Sequence, residues 1–393
     1  MRNGSGEYST IYDRNMTRAA LITIHSLPNF GSVFQAYATQ VILENAGIRC
    51  EIIDYLYPNE WHYSNGTPKA SRLKRIATMC AVPLMKFVGY NSQHVLQHNL
   101  EQFKKKHFNL TRPYINLERL NREDWGKYDV VIAGSDQIWS PKFLKGDKAF
   151  LLSFVPDNVR KISISSSFGC TELPPDMIEH YRKALSRFDA IGIREEGGLH
   201  ILHESLNIKQ KTSLMLDPTL LLSSAQWNSI AESAHRHDRY IVLYGLYYSF
   251  DARPYIFDVM EYFQKKLGYR IISLAGYHKA FSTKKLDVEC RETATPQQFL
   301  SLFRDASLVV TTSFHGSAFA LNYGKPLISI VPESGDDRQK SLLTILGAAG
   351  SITRIGTDPQ YINPYYDAVS VKANLDKLRL DNIATIKKNI FNQ

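Results

Sequence analysis

The sequence predicts an α/β protein with two Rossmann-like, parallel-sheet domains that face each other across a central cleft. Short apolar runs suited to buried strands alternate with longer segments of helical periodicity. This alternation occurs in two series, the first from residue 19 and the second from residue 239. The length of 393 residues is too great for one ordinary core and suggests two domains of about 150–200 residues.

The first βαβ unit begins at residue 19. The run ALITIH is predicted as a buried strand, VFQAYATQVILENAG as a helix with an apolar face, and RCEIIDY as the next strand. Ser32 is suited to cap the start of this helix, and Gly47 is suited to end it. This order of strand, helix and strand implies a parallel sheet.

The alternation stops at a basic, helical insert at about 62–127 and resumes with YDVVIAG and KISISSS. We expect residues 186–206, SRFDAIGIREEGGLHILHESL, to be mainly helical. The strand in SLMLDP ends at Asp217, which we interpret as the domain boundary. The second series contains the strands RYIVLYGL, RIISLAG, SLVVTTS and KPLISIV, and an amphipathic helix follows near the end of the chain.

These elements divide the chain into four parts. Residues 1–18 form a mobile lead-in, 19–217 the N-terminal domain and 218–372 the C-terminal domain. Residues 373–393 form a helix, for which packing back on the N-terminal domain is one option. The lead-in lacks an apolar core segment, so we expect no secretory signal. No run of about 18 apolar residues is present, so we expect no membrane span.

The net charge of +9 favours an acidic partner. The charge is spread along the chain without a nucleic-acid-binding motif, so an anionic small substrate is favoured over nucleic acid. The four cysteines are scattered, with neither a CxxC spacing nor a His/Cys cluster. We therefore expect no metal site, and we expect reduced cysteines in a cytoplasmic protein.

The segment VVTTSFHGSAFALNYGKP carries the strongest chemical pattern. A strand is predicted to end at Ser313, and His315, Gly316 and Ser317 follow at the start of a helix. The free N–H groups and the dipole of a helix start bind anions. His315 is placed there for proton transfer. A histidine that only caps the loop is an equally good interpretation of this pattern.

Two other strand ends carry polar groups. Asn29 and Gly31 occupy the first strand-to-helix turn, where an anion can bind but where a plain turn would use the same residues. Asp136, Gln137 and Trp139 suit a sugar through hydrogen bonds and ring stacking. The alternative is an Asx-turn at Asp136 with Trp139 in the core. A GxGxxG fingerprint is absent, so a dinucleotide is not indicated.

Three cations are candidates for binding an anion. Arg194 follows a strand that is predicted to be buried, Arg338 precedes an amphipathic helix at the edge of the cleft, and Lys325 lies in the turn before a strand. The planar fork of arginine matches a carboxylate or a phosphate. A surface salt bridge is the alternative for each of the three.

Six segments in order make the chain similar to the polysaccharide pyruvyltransferase family, from about residue 19 to about residue 350. They are NFGSVFQAYATQ, VVIAGSDQIWSP, KISISSSFG, GIREEGG, LDPTLLL and VVTTSFHGSAFALNYGKPLISI. The resemblance implies a fold like that of the B-type glycosyltransferases. It also implies phosphoenolpyruvate as donor and a sugar diol as acceptor, in the synthesis of a surface polysaccharide such as a capsule or exopolysaccharide.

One motif departs from the common family pattern. Many members carry Arg-x-His in the last segment, where this chain has Ser313-Phe314-His315, a form similar to a branch found in capsule gene clusters. Another cation must then contact the donor carboxylate. We predict His315 as the acid/base group. The predicted donor contacts are Arg194, Ser313, Gly316, Ser317, Lys325 and Arg338. The predicted acceptor contacts are Asn29, Gly31, Asp136, Gln137 and Trp139. No cofactor is expected, since phosphoenolpyruvate is a co-substrate.

The basic stretch 72–86 raises the question of a membrane. Lys74, Arg75 and Lys86 flank apolar residues there, and a basic amphipathic segment can lie on an anionic inner leaflet. Such contact would bring the enzyme to a lipid-pyrophosphate-linked acceptor. A core helix with solvated lysines is the favoured alternative. Two other functions remain open: a glycosyltransferase that uses a nucleotide-sugar, and a catalytically silent glycan-binding protein.

Overall fold

The computed structural model describes residues 16–56, 90–233, 236–248, 250–275, 277, 285–333 and 337–391. Most of the predicted lead-in and the whole basic stretch 72–86 therefore lie outside the described residues. The described chain forms two six-stranded sheets in which every recorded strand pairing is parallel.

The N-terminal sheet has the strand order β2-β1-β3-β4-β5-β6. Its strands are β1 (Arg18–Ile22), β2 (Arg49–Ile52), β3 (Val130–Ala133), β4 (Arg160–Ser166), β5 (Ala190–Ile193) and β6 (Lys211–Leu214). The order changes direction between β1 and β3. In open parallel sheets, ligands bind beyond the carboxyl ends of the strands at such a switch point.

The C-terminal sheet has the order β12-β11-β10-β7-β8-β9, so its switch point lies between β7 and β10. Its strands are β7 (Tyr240–Tyr244), β8 (Arg270–Ala275), β9 (Val288–Cys290), β10 (Leu308–Thr311), β11 (Leu327–Val331) and β12 (Ile352–Arg354). The prediction of two Rossmann-like domains is confirmed by these sheets.

Helices cover the faces of both sheets. In the N-terminal half they are α1 (Phe30–Asn45), α2 (Tyr90–His107), α3 (Leu117–Asn121), α4 (Ile178–Leu185) and α5 (Glu196–His200). Two short helices follow β6, α6 (Pro218–Leu221) and α7 (Ser224–Asn228). The C-terminal half adds α8 (Tyr255–Leu267), α9 (Pro296–Asp305), α10 (Phe314–Asn322), α11 (Arg338–Leu346) and α12 (Ala368–Phe391). Among the described residues, no helix is long and apolar enough to cross a membrane.

Two local predictions are wrong. Residues 186–206 are not mainly helical, because they contain the strand β5, whose four residues are all buried. The first helix begins three residues earlier than predicted, and its cap is Asn29 and not Ser32. The Asn29 Oδ1 atom accepts from the N–H groups of Gly31 at 2.8 Å and Ser32 at 3.4 Å. An asparagine can cap as well as a serine, and only the backbone geometry decides between them.

A shared aromatic cluster joins the two halves. Phe34 of α1 packs against Phe299 of α9 at 5.4 Å between ring centroids, against Phe319 of α10 at 5.2 Å and against Trp227 of α7 at 5.3 Å. One continuous core contains these rings and the inner faces of both sheets. A large apolar interface of this kind limits independent motion of the domains.

The last helix, α12, contacts both halves. Leu216 beyond β6 donates its N–H to Asn382 Oδ1 at 2.7 Å, and Arg160 Nε donates to the carbonyl of Asn389 at 2.6 Å. On the other side, Arg379 donates to Asn322 Oδ1 of α10 at 2.8 Å. The helix therefore bridges β4 and β6 of the first sheet to α10 of the second domain.

Candidate active site

The two switch points open onto one cavity between the domains. Asn29 follows β1 and Asp136 follows β3, while Leu246 follows β7 and Ser313 follows β10, and all four line the cavity. The cavity encloses about 400 Å³ including its mouth. Loops from four different strands thus meet at the position where parallel sheets bind their ligands.

His315 lies in the first turn of α10 and lines this cavity with only 7% of its surface exposed. The helix is capped by Ser313, whose hydroxyl accepts from the Gly316 N–H at 3.3 Å. The imidazole packs against the start of α1, where a Cβ on Gly31 would lie 2.1 Å from Nδ1 of His315. Gly31 is therefore required for the close approach of two helix starts from different domains.

Asp217 faces the other side of the imidazole and is fully buried. Its Oδ2 atom lies 3.6 Å from His315 Nε2 and accepts hydrogen bonds from Arg194 at 2.8 Å and Ser135 at 2.9 Å. Its Oδ1 atom accepts from Thr219. Burial alone would raise the pKa of Asp217, but His315, Arg194 and Thr219 together hold it well below its usual range. Asp217 therefore binds the Arg194 guanidinium and lies beside the imidazole, whose Nε2 atom has no hydrogen-bond partner among the described residues.

Arg194 follows β5 and is almost fully buried. Its guanidinium carbon lies 4.3 Å from the centre of the Phe314 ring, a cation–π contact between the two domains. Its Nη2 atom is 3.9 Å from Asp136, and its Nε atom is 3.8 Å from Glu195. Neither nitrogen has a hydrogen-bond partner among the described residues. Both nitrogens are buried, and Arg194 lines a neighbouring cavity and not the one that contains His315.

Asp136 lines the cavity on the side of the N-terminal domain. Its backbone has φ of 71°, and its side chain accepts from the Ser32 hydroxyl at 2.7 Å and the Gln137 N–H at 2.9 Å. Burial raises its pKa, but the charges of His315 and Arg194 outweigh burial, so the pKa falls below its usual value. The carboxylate therefore stays ionised beside His315 and Arg194.

Glu195 is a second buried carboxyl at the end of β5. Its Oε1 atom accepts from the Ser167 hydroxyl at 2.9 Å and the Phe168 N–H at 3.0 Å. Burial raises its pKa to about 7, although Arg194 and Arg338 oppose the shift. The Glu195 carboxyl therefore changes charge near neutral pH, and it lies next to the Arg194 side chain.

Two other predicted donor contacts lie near His315. Arg338 is the first residue of α11, lines the cavity and is 8% exposed. Ser317 is fully buried, and its hydroxyl is engaged with Ser329 at 2.9 Å and with the carbonyl of Ser313 at 3.3 Å. Arg338 is thus placed to contact a ligand directly, whereas Ser317 supports the first turn of α10.

Lys325 does not lie near His315. It precedes β11, whereas His315 follows the neighbouring parallel strand β10, so the two residues lie at opposite edges of the sheet. Burial lowers the pKa of Lys325, and Asp305 partly offsets that effect. Its position in the turn before the strand, visible in the sequence, already indicates the opposite edge.

Gln137 and Trp139 also point away from the cavity. Trp139 is fully buried, donates its indole N–H to the Phe150 carbonyl at 3.1 Å and packs against Phe168. Gln137 packs over Gly169, where a Cβ would lie 1.8 Å from its amide nitrogen. The structure therefore agrees with the alternative that Trp139 belongs to the core, because the turn at Asp136 directs the following residues inward.

The sequence interpretation missed Asp217, Glu195 and Tyr248 as residues of the site. Asp217 was interpreted only as a domain boundary, although an Asp directly after a predicted strand was the available indication. Tyr248 is 52% exposed, lines the cavity mouth and lies 3.4 Å from the Asn29 amide. No sequence pattern marks it, because it lies in an irregular loop after β7.

Together, the side chains of this site can transfer a proton and bind an anion. A buried imidazole lies beside an ionised carboxylate, which favours one orientation and one tautomer of the ring. Guanidinium groups and the start of α10 supply positive potential in the same cleft. Within the described residues, no group of three His, Cys, Asp or Glu side chains is arranged to hold a metal ion.

The fold of this chain recurs in known structures. The Staphylococcus aureus MnaA–UDP structure aligns with a TM-score of 0.52 at 12% identity, covering 93% of this chain and 97% of that one. A glycosyltransferase from Rickettsia africae aligns with a TM-score of 0.50 at 10% identity, covering 96% and 99%. At such identities the similarity shows a shared two-domain fold only.

Sequence comparison identifies the family. No curated protein matches this sequence. The family model described as polysaccharide pyruvyl transferase matches residues 29–334, a range that begins at the α1 cap and includes His315. The match covers well over half of the chain, and it confirms the resemblance drawn from the six segments. The chain is therefore a transferase that belongs to the polysaccharide pyruvyl transferase family.

Proposed function

We propose that this transferase moves the pyruvyl group of phosphoenolpyruvate onto two hydroxyls of one sugar, forming a cyclic ketal and releasing phosphate. The observation that carries the proposal is the shared cavity, in which His315 lies beside Asp217 while Arg338 and the start of α10 face the same space. An enol phosphate with a carboxylate needs both an acid and cations, and this cavity offers both.

The reaction balances without a cofactor. Carbon 3 of the donor gains a proton, and carbon 2 becomes an oxocarbenium-like centre that one sugar hydroxyl attacks. The second hydroxyl then attacks the same carbon as the C–O bond to phosphate breaks. Of the two hydroxyl protons, one balances the proton added at carbon 3 and the other leaves on phosphate.

We assign proton transfer to His315 and anion binding to Arg338 and the α10 start, while Arg194 donates to Asp217. Asp217 is a positioning residue in this proposal, because it lies beside His315 and binds Arg194. The missing arginine of the Arg-x-His motif is then replaced by Arg338, which enters the cleft from α11. Lys325 has no role in this proposal, given its position at the other edge of the sheet.

The first test is thermal stabilisation by phosphoenolpyruvate, since a ligand that binds the native state raises the melting midpoint. Arg338→Ala should lose this shift, while Arg119→Ala, an exposed arginine of α3, should keep it. A shift produced only by a nucleotide-sugar would favour a glycosyltransferase. Glycan binding without any donor binding would favour a silent glycan-binding protein.

Activity is tested by phosphate release from phosphoenolpyruvate in the presence of methyl glycosides with free 3,4- or 4,6-diols. Mass spectrometry of the glycoside should detect one added pyruvyl ketal. If phosphate is released without an acceptor product, the enzyme is a phosphatase under these conditions and the proposal fails.

The proposal also places the reaction in the cytoplasm, on a capsule or exopolysaccharide precursor. The four cysteines are scattered along the sequence without a CxxC spacing, which suits a reducing compartment. The membrane contact through residues 72–86 remains a proposal on sequence grounds alone, since this segment is not described by the structure. Co-sedimentation with anionic liposomes that survives charge reversal of Lys74, Arg75 and Lys86 would contradict it.

A further inference from the structure

A second cavity lies beside the one that contains His315. Together with its open mouth it contains about 690 Å³ of empty space, against about 400 Å³ for the His315 cavity by the same measure. Its walls come from both domains: the start of α1 and the first turns of α2 on one side, and the ends of β7 and β8 with Glu292 on the other. The Asn99 amide on α2 donates to the Thr293 carbonyl at 2.8 Å, so the two walls are tied together.

The two cavities are adjacent. Asn29 and Leu246 line both of them. A molecule in the second cavity could therefore present one end to the space around His315. This position suits a two-substrate transfer, because in the proposed reaction both hydroxyls must reach carbon 2 of the donor.

The chemistry of the second cavity differs from that of the first. Among the described residues that line it, none is a lysine or an arginine, whereas Arg338 lines the His315 cavity. Its polar lining includes the Glu292 carboxyl and the amides of Asn29 and Gln93. Pro28, Leu96 and Leu274 are among its apolar contacts. Carboxyl and amide groups bind hydroxyls, apolar surface suits the C–H faces of a pyranose, and a carboxylate repels phosphate.

We propose that this second cavity is the acceptor site and that it holds an uncharged pyranose, with Glu292 accepting hydrogen bonds from sugar hydroxyls that do not react. The inference rests on the proposed function and goes beyond it, because it assigns the acceptor to a separate cavity and excludes a pyrophosphate or nucleotide from that cavity. The reacting diol would enter the His315 cavity past Asn29.

The experiment uses the full-length protein, phosphoenolpyruvate and the same panel of methyl glycosides. Glu292→Ala removes the carboxyl, Glu292→Gln keeps its shape, and Leu96→Trp fills the cavity from α2 without touching Glu292. Glu204→Gln is the matched control, since Glu204 is exposed on the short π-helix Ile201–Ser205. The measured quantities are the acceptor KM, kcat and the melting-point shift caused by phosphoenolpyruvate.

We expect the acceptor KM to rise about tenfold or more in Glu292→Ala, in line with the loss of a hydrogen bond to a charged group. We expect a similar rise in Leu96→Trp, because the indole occupies the space of the sugar. Glu292→Gln should be less affected, and the phosphoenolpyruvate shift should persist in all variants. An unchanged acceptor KM in both Glu292→Ala and Leu96→Trp would overturn the assignment. So would a melting-point shift by UDP-glucose that Glu292→Ala abolishes. If the wild type releases no phosphate with any glycoside, the proposed function fails as a whole, and the assignment fails with it.

Discussion

At the scale of single residues, the proposed chemistry depends first on His315. Its ring is held between Gly31 and Asp217, so a substitution removes the acid/base group without opening the core. We expect His315→Ala to lower kcat by roughly 10²–10⁴, the usual contribution of acid/base catalysis. Phosphate release from phosphoenolpyruvate with an excess of glycoside measures this effect. Near-full turnover in a folded variant would show that another group transfers the proton.

The buried Glu195 carboxyl should make the unfolding free energy depend on pH. Its pKa is raised to about 7 by burial, so the folded state binds its proton more tightly than the unfolded state does. The stabilisation that comes from this tighter proton binding is present at low pH and is lost as the pH rises from about 4.5 towards 7. We expect Glu195→Gln to remove this part of the pH dependence, as measured by urea unfolding at several pH values.

The neighbouring Glu196 is the matched control, because it is exposed on the same short helix. Glu196→Gln should leave the pH profile of the unfolding free energy unchanged. Equal slopes for wild type and Glu195→Gln between pH 4.5 and 7 would mean that Glu195 is ionised throughout that range in the folded protein.

At the scale of elements, the site depends on two helix starts that approach without a side chain between them. A Cβ at Gly31 would lie 2.1 Å from the His315 ring, so α1 and α10 would have to separate or the ring would have to turn. We expect Gly31→Ala to reduce kcat by more than tenfold, because small displacements of a catalytic group carry large costs. The effect is measured in the same phosphate assay.

Gly350 serves as the control for this substitution, since no atom lies within 4 Å of a Cβ built there. Gly350→Ala should retain full activity. If Gly31→Ala is equally active, the close approach of the two helices is not needed for turnover.

The boundaries of the elements were only partly predictable. Strand β1 and helix α1 follow from apolar periodicity. Strand β5 is short, and the helical composition of REEGGLHILHES after it makes the whole of 186–206 resemble a helix. The start of α1 at Phe30 was decided by the Asn29 side chain, since several residues in that turn are able to cap. Local patterns thus identify elements more reliably than they identify their ends.

At the scale of the whole molecule, the aromatic cluster should control cooperative unfolding. Phe34 is fully buried and contacts rings from α7, α9 and α10. We expect Phe34→Ala to lower the unfolding free energy by about 3–5 kcal/mol, the usual effect of deleting a buried phenylalanine side chain. Urea denaturation followed by both tryptophan fluorescence and circular dichroism measures it.

Phe391, which is 39% exposed at the end of α12, is the control. Phe391→Ala should change the unfolding free energy by less than about 0.5 kcal/mol, as surface substitutions usually do. Two separate transitions in the wild type would show that the halves unfold independently despite the shared core.

The sequence by itself determined the fold class, the family and the segment that carries His315, because these depend on local periodicity and on short motifs. It also marked Arg194, Arg338 and Asp136 as candidates, since each follows or precedes a recognisable element. The tertiary structure alone decided which candidates meet. Asp217 lies beside His315, Lys325 lies at the far edge, and Trp139 lies in the core, because strand order and turn direction bring together residues that are far apart in the chain.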